Sequence, residues 1–298
     1  LTAEYWLRLQ DQYLLAEQVK NKTTQGKLQD VRRRALLNSK APIQLLRKRN
    51  LLHGNSLDEL EAEVMELFER SLMEAEPAFA AAARRGNQGE EISMLQRTWV
   101  ACVRKAARAL PPQNRYSATG LERLARSLPR ILKTSDAFSD LPKLFAEVGV
   151  RLVYVEMLPG GKIDGCAMYV DDYPVIGLSG RGQRLDKVLF TLLHEIANIL
   201  RGHVDGERII AEEIDDQRIH ESEQETEANA MAAACIFPEG SPDVPARISG
   251  AWIEQAAAEL GVARIVVVGH LQHHGRLDWR TTFTKNAPNV SDVLGTWR

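Results

Sequence analysis

The chain has 298 residues, of which 44% are hydrophobic and 26% are charged, and its formal net charge at pH 7 is -2. This is ordinary globular composition, long enough for one large domain or two moderate ones, and it gives no basic field for nucleic acid or an anionic membrane. We find no signal peptide and no apolar run of about 18 residues, so we expect no membrane span. Three widely spaced cysteines, Cys102, Cys166 and Cys235, indicate reduced thiols and hence a cytoplasmic protein.

The first 130 residues are predicted to be helical. Residues 1–20 carry apolar side chains at helical spacing, and residues 21–40 are polar and basic. The basic segment is typical of a solvated helix or linker, with contact to DNA or a partner as the alternative. Within residues 41–130, Ser56 and Glu59 predict a capping box, and residues 86–89 predict a turn between helices.

The pattern changes near residue 137 and indicates an α+β fold class. Leu141–Val148 is predicted as a helix, followed by three short strands and a strong amphipathic helix. The strands are predicted at Val150–Val155, Cys166–Val170 and Pro174–Leu178, and the helix at Arg184–Leu200. This order favours a small, mainly antiparallel sheet with a zincin-like helix, preceded by an all-helical region.

The C-terminal third begins with an acidic stretch. Residues 204–227 contain ten acidic residues against two arginines, which predicts an exposed loop leading into a helix at Glu221–Ile236. A further helix is predicted at Trp252–Leu260. Arg264–His273 suits either a strand or a buried helix, and the polar tail from Thr281 is expected to be ordered only by docking.

The residues that indicate chemistry lie on the predicted helix Arg184–Leu200. His194 and Asn198 are one helical turn apart, the spacing at which HExxH metallopeptidases present two histidines to one Zn²⁺, and Glu195 is placed as the general base. Such a site needs a further ligand, which can be a glutamate on a following helix, with an Asp or Asn four residues later to support a histidine. Glu225 and Asn229 have that spacing, whereas Asn198 stands where the second histidine is required.

Several segments together resemble the ImmA/IrrE family of metallopeptidases, in the branch fused to a HigA-type helix-turn-helix antitoxin module. They are residues 158–165 with 174–179, 184–186 with 190–195, 225–232 with Pro238, the C-terminal positions 267–272, and residues 4–10. The resemblance implies a Zn²⁺ cofactor held by His194 and Glu225, with Glu195 as the general base. It also implies that Asn229 supports a histidine ligand and that Asn198 occupies the position of a further ligand, which is substituted here. It also implies cleavage of a helix-turn-helix repressor as the activity.

The resemblance also implies a division of the chain. Residues 1–40 are similar to the closing helix of a helix-turn-helix module plus a basic linker, so DNA binding is expected only through a module preceding Leu1. Residues 41–130 form a helical region of open role, 131–245 a metallopeptidase-like domain, and 246–298 a helical segment packed on it. A homodimer is one possible assembly.

Asn198 leaves three interpretations open. The site binds metal poorly and acts as a sensor, His203 supplies the missing imidazole, or Asn198 is an engineered substitution. Tyr169 is a candidate oxyanion stabiliser, with sheet packing as the alternative. We interpret His270, His273 and His274 as surface or core histidines, and Cys166 and Cys235 as small buried side chains. The rival functions are a pseudo-peptidase binding module and a transcriptional regulator or antitoxin.

Overall fold

A computed structural model describes residues 2–20, 22–69, 93–204, 210–212 and 223–297. The chain divides into two compact units, Leu1–Ala75 and Glu76–Arg298. Within the described ranges, no helix combines the length and apolar character that crossing a membrane requires. The predicted turn at residues 86–89 lies outside the described residues.

The first unit is helical, as predicted. Its helices are α1 (Ala3–Lys20), α2 (Lys22–Lys40), α3 (Ile43–Lys48) and α4 (Leu57–Phe68). The predicted capping box is present, because Ser56 Oγ accepts from Glu59 N at 3.2 Å and Glu59 Oε2 accepts from Ser56 N at 2.9 Å. Arg33 of α2 links to α4 by bonding Asp58 and Glu61.

The second unit is α+β, which confirms the predicted fold class. Its helices are α5 (Met94–Arg108), α6 (Ala118–Ile131), α7 (Leu141–Glu147), α8 (Leu185–Leu200), α9 (Glu223–Ile236), α10 (Gly250–Leu260), α11 (Arg264–His273) and α12 (Ser291–Leu294). Short 3₁₀ turns lie at Asp136–Asp140 and Thr282–Thr284. The strands are β1 (Arg151–Tyr154), β2 (Gly165–Val170), β3 (Tyr173–Leu178) and β4 (Ile210–Glu212).

The sheet has the strand order β1-β3-β2-β4. β1 runs parallel to β3, whereas β2 is antiparallel to both β3 and β4, so the sheet is mainly antiparallel. β4 corrects the prediction that the acidic stretch is an exposed loop up to the helix at Glu221, because residues 210–212 pair with residues 165–167 of β2. Pairing with an existing strand edge decides the conformation of such a short segment, and local propensity does not reveal it.

Helices cover both faces of the sheet. On one face α5 packs closely against β3, since a Cβ added at Gly177 would lie 2.6 Å from Val103 Cγ1. On the other face α8 packs against β2, and α6, α9 and α11 pack against α8. Between Leu185 and Ile199, α8 is buried except at Lys187 and Phe190, so it is the central helix of this unit.

The segment 264–273, which suits a strand or a helix, is the helix α11. Its β-branched run is buried, with Ile265, Val266, Val267 and Val268 all at most 3% exposed. Packing against α8 and α10 therefore overrides the strand propensity of these valines.

Candidate metal centre

The centre of the candidate site is a pair of packed helices. α8 carries His194, Glu195 and Asn198, which are at most 1% exposed, and α9 carries Glu225, which is 5% exposed. The exposed fractions show that these polar side chains point into the interior, between α8, α9 and the sheet. Polar groups are placed there at a cost in desolvation, so their arrangement reflects specific contacts.

His194 is oriented by Asn229. The two side chains meet with Nδ1 of His194 at 2.9 Å from Oδ1 of Asn229. Because an amide oxygen only accepts, His194 Nδ1 carries the proton and donates, which leaves the lone pair on Nε2. His194 Nε2 lies 4.0 Å from Glu225 Oε2, and both atoms are shielded from solvent. This is the orientation that a metal-ligating histidine with a supporting amide requires.

Glu195 lies against the sheet at Gly165. A Cβ added at Gly165 would come within 2.7 Å of Glu195 Oε1 and 2.8 Å of Thr191 Cγ2. The absence of a side chain at this β2 position therefore makes room for the carboxylate. The Glu195 carboxylate also affects Cys166. Burial, and secondly the negative charge of Glu195, raise the pKa of the Cys166 thiol.

Asn198 is held by two neighbours. Its Nδ2 donates to Glu195 Oε2 at 3.4 Å, and its Oδ1 lies 3.0 Å from Nδ1 of His203. Glu195 and His203 together fix the amide, because the opposite orientation would place Oδ1 against a carboxylate.

His203 reaches Asn198 because α8 ends in a Schellman motif. The His203 N–H donates to Asn198 O at 3.0 Å and the Gly202 N–H to Ile199 O at 3.2 Å, with Gly202 at a φ of 69°. His203 Nε2 then lies 3.2 Å from Glu227 Oε2, and Glu227 also pairs with Arg201 at 3.3 Å. Both ring nitrogens of His203 thus face oxygen atoms, so in this arrangement the ring is directed to Asn198 and Glu227 instead of the His194–Glu225 pair.

The donor set fits a zinc ion in part. Imidazole nitrogen and carboxylate oxygen are ligands that Zn²⁺ takes. His194 Nε2 and Glu225 Oε2 provide one of each, 4.0 Å apart. The third protein ligand is lacking, because Asn198 offers a neutral amide oxygen that already accepts from His203. Across the described ranges, no group of three or more His, Cys, Asp or Glu side chains is placed to hold a metal ion.

The remaining candidates lie away from this centre. Tyr169 lies on β2 four residues beyond Gly165, about 13 Å along the strand, and packs on the core beside Tyr116. Burial raises the pKa of Tyr169 and, to about 12, that of Tyr116. Cys102, Cys166 and Cys235 are buried free thiols, which confirms the interpretation of the last two as small buried side chains.

Sequence reasoning missed a cavity of about 490 Å³ beside the site. Asn229 and Thr191 line it, as do Phe190, His270 and His273. The Phe190 ring lies between two histidine rings, with its centroid 6.5 Å from that of His194 and 6.3 Å from that of His273. The spacing of His270 and His274 was the one available signal, and it pointed to a shared helix face without showing what that face meets.

Part of the chain, which includes this site, matches a known protein family. No curated protein and no solved structure matches the sequence. Residues 149–271, which span the sheet, α8, α9 and most of α11, match the model of the IrrE N-terminal-like domain, Peptidase_M78. The match supports the assignment of this region to the ImmA/IrrE family of metallopeptidases.

Proposed function

We propose that this protein is a metallopeptidase-like regulator that cleaves, or senses for, a helix-turn-helix repressor or antitoxin. The observation that carries the proposal is the His194–Asn229 hydrogen bond, which turns His194 Nε2 toward Glu225. The family match over residues 149–271 supports the metallopeptidase-like role, and the repressor as target is the finer part of the proposal.

The residues have separate roles in this proposal. His194 and Glu225 would hold Zn²⁺, and Asn229 keeps the His194 ring in the tautomer that ligation requires. The ion, when bound, supplies Lewis-acid polarisation of the peptide carbonyl. Glu195, next to His194 and fixed between Gly165 and Asn198, accepts the proton of the attacking water.

The second candidate is a pseudo-peptidase that binds a partner without turnover. The observation in its favour is the amide of Asn198, which bonds His203 and Glu195 in the position of a ligand histidine. A site with two strong ligands binds zinc more weakly than one with three, and recognition of a peptide in the cleft does not depend on the missing ligand.

Partners follow from charge and from the resemblance. We propose that the ten acidic residues of 204–227 attract a basic partner such as a DNA-binding repressor. From the resemblance we also propose that DNA contact is made through a helix-turn-helix module preceding Leu1, that the protein acts in the cytoplasm, and that a homodimer is a candidate assembly. A mobility-shift assay with this chain and with a version extended before Leu1 tests the DNA assignment. Binding only by the extended version is expected, and failure of both contradicts it.

Metal analysis combined with cleavage tests the function. The purified chain is incubated with zinc, then with a panel of helix-turn-helix repressors and antitoxins, and the products are analysed by mass spectrometry. The peptidase predicts zinc near one equivalent and a single cut that Glu195→Gln abolishes. Zinc below about a tenth of an equivalent contradicts the peptidase, and tight partner binding without a cut selects the pseudo-peptidase.

A further inference from the structure

The cavity next to the candidate metal centre shares a wall with it. Asn229 lines the cavity and bonds His194, and Thr191 lines it and packs at Gly165 beside Glu195. A volume of about 490 Å³ lies within the range of cavities that bind organic ligands. The cavity therefore adjoins the His194–Glu225 pair through Asn229 and adjoins Glu195 through Thr191.

Aromatic rings form much of the cavity wall. The Phe190 ring lies between His194 and His273, and the Phe237 ring packs on His270 with centroids 4.1 Å apart. Burial, and then the neighbouring His274 and His273, lower the pKa of His270 to about 4, so its ring is neutral at pH 7. Neutral flat rings provide a surface for an aromatic or large apolar group.

Alanines of α9 keep the cavity open. The face of α9 that packs in the core uses Ala228, Ala232 and Cys235, all buried. Ala230 and Ala233 lie on the adjoining face, keep solvent exposure and line the cavity. Close helix packing explains the small side chains of the first set, whereas at Ala233 a larger side chain would occupy the cavity itself.

Three basic side chains and two carboxylates line the cavity, and two of the basic side chains pair with those carboxylates. Arg181 pairs with Asp164, and Arg184 makes two 2.7 Å bonds to Asp186. Lys187 instead lies 5.2 Å from the centroid of the Trp279 ring, its one interaction that we identify in the described ranges. Its ammonium group is exposed at the rim and suits a carboxylate entering with the apolar group.

We propose that this cavity is the specificity subsite for an aromatic or large apolar side chain of a bound peptide, flanked by an acidic residue that pairs with Lys187. The inference rests on the proposed function in one respect, namely that a peptide occupies the cleft at His194 and Glu225. It adds the sequence preference of that peptide, with Ala233 as the residue that sets the size of the accepted side chain.

Fluorescence polarisation with three labelled peptides tests the subsite on the full chain. The probes are Gly-Gly-Asp-Phe-Asp-Gly-Gly, the same peptide with Ala for Phe, and the same peptide with Lys for both Asp. Burial of the phenyl ring predicts at least about tenfold tighter binding of the first probe than of the alanine probe. The exposed lysine predicts about two- to fivefold weaker binding of the lysine probe.

Two variants on one helix provide the matched control. Ala233→Phe fills the cavity and is expected to abolish the preference for the phenylalanine probe. Ala234→Phe adds the same side chain at an exposed position of α9 that does not line the cavity, and is expected to keep the preference. Lys187→Glu is expected to reverse the preference between the acidic and basic probes.

The results separate the subsite from the proposed function. Equal binding of the phenylalanine and alanine probes, equal effects of the two variants, or no binding up to about 1 mM probe overturns the subsite. Mass spectrometry of the same samples reports whether a probe is cut. Selective binding of the phenylalanine probe without cleavage supports the subsite and contradicts the peptidase activity. Cleavage of all probes without a binding preference supports the peptidase activity and contradicts the subsite.

Discussion

The two halves of the candidate metal centre differ in what surrounds their central side chain. In the first half, Asn229 orients His194 toward Glu225, as a metal-ligating histidine requires. In the second half, one helical turn later, Asn198 takes part in a hydrogen-bonded network with Glu195, His203 and Glu227. α8 and α9 contribute to both halves, and the second half adds His203 from the segment after α8. Asn198 thus lies at the HExxH spacing from His194 and has a different bonding role from a ligand.

The packing of the two helices does not depend on a metal ligand alone. α8 and α9 contact each other, and apolar residues of both, such as Leu192, Ile196 and Ala232, belong to one buried core, so we expect the helices to pack with either an imidazole or an amide at position 198. A change at one buried polar position can therefore alter metal affinity without altering the fold. The following predictions test whether the difference between the halves has this origin.

The largest effect is expected from Asn198→His. Restoring an imidazole beside His194 and Glu225 completes a three-ligand set, and we expect zinc affinity to rise by at least about a hundredfold. Competition with a chromogenic chelator measures the change. The control is Asn114→His, which places the same side chain at an exposed position and should leave affinity unchanged. An unchanged affinity for Asn198→His would show that Glu225 is wrongly assigned.

The next effect is expected from Asn229→Ala in the first half. Loss of the acceptor for His194 Nδ1 releases the ring from its ligating tautomer, and we expect zinc affinity to fall about 10- to 100-fold. Gln224→Ala, an exposed change on the same helix, is the control. If both variants bind zinc as the parent does, the His194–Asn229 bond does not support a ligand.

A smaller effect, on stability, is expected from His203→Ala in the second half. Removing this buried ring leaves Asn198 Oδ1 without the hydrogen bond from His203 Nδ1. We expect this loss to lower the free energy of unfolding by about 1–3 kcal/mol. Glu227→Ala removes a partner that is 46% exposed and should cost less than about 1 kcal/mol. Urea unfolding measures both, and equal costs would mean that the network does not hold Asn198.

The smallest effect is a pH dependence from the cavity wall. The pKa of His270 falls from 6.5 to about 4, chiefly through burial, so between these values only the unfolded chain takes up the proton. Stability is therefore lost as the pH falls from 6.5 toward 4, by about 1 kcal/mol because the ring is partly exposed and screened. Urea unfolding at pH 7.5 and 5 should show a smaller loss in His270→Gln than in the parent. His53→Gln, at an exposed position of the first unit, should not change the loss.

Much of the fold could be predicted from local pattern. The amphipathic run of α8, the Ser56–Glu59 capping box and the short apolar runs of the first three strands depend on near neighbours in sequence. β4 and α11 depend on distant partners, β4 on the edge of β2 and α11 on the packing of α8 and α10. Propensity alone therefore gave a loop for one and no decision for the other.

The site divides in the same way. His194, Glu195, Glu225 and Asn229 have fixed spacings on two helices, so the sequence could place them together. The contact of His203 with Asn198 arises from the reversal of the chain at Gly202, and the cavity combines α8, α9, α11 and residue Trp279. Surfaces formed by segments so far apart in sequence have no local signal.

The most direct test of the central claim is an anomalous scattering map at the zinc edge from crystals of Asn198→His grown with zinc. The claim is that His194 and Glu225 are the surviving half of a metal site whose third ligand is replaced by Asn198. It predicts one strong peak within ligand distance of His194 Nε2, the Glu225 carboxylate and the new imidazole. A peak elsewhere, such as at His270 and His274, or no peak in zinc-saturated crystals, would contradict it.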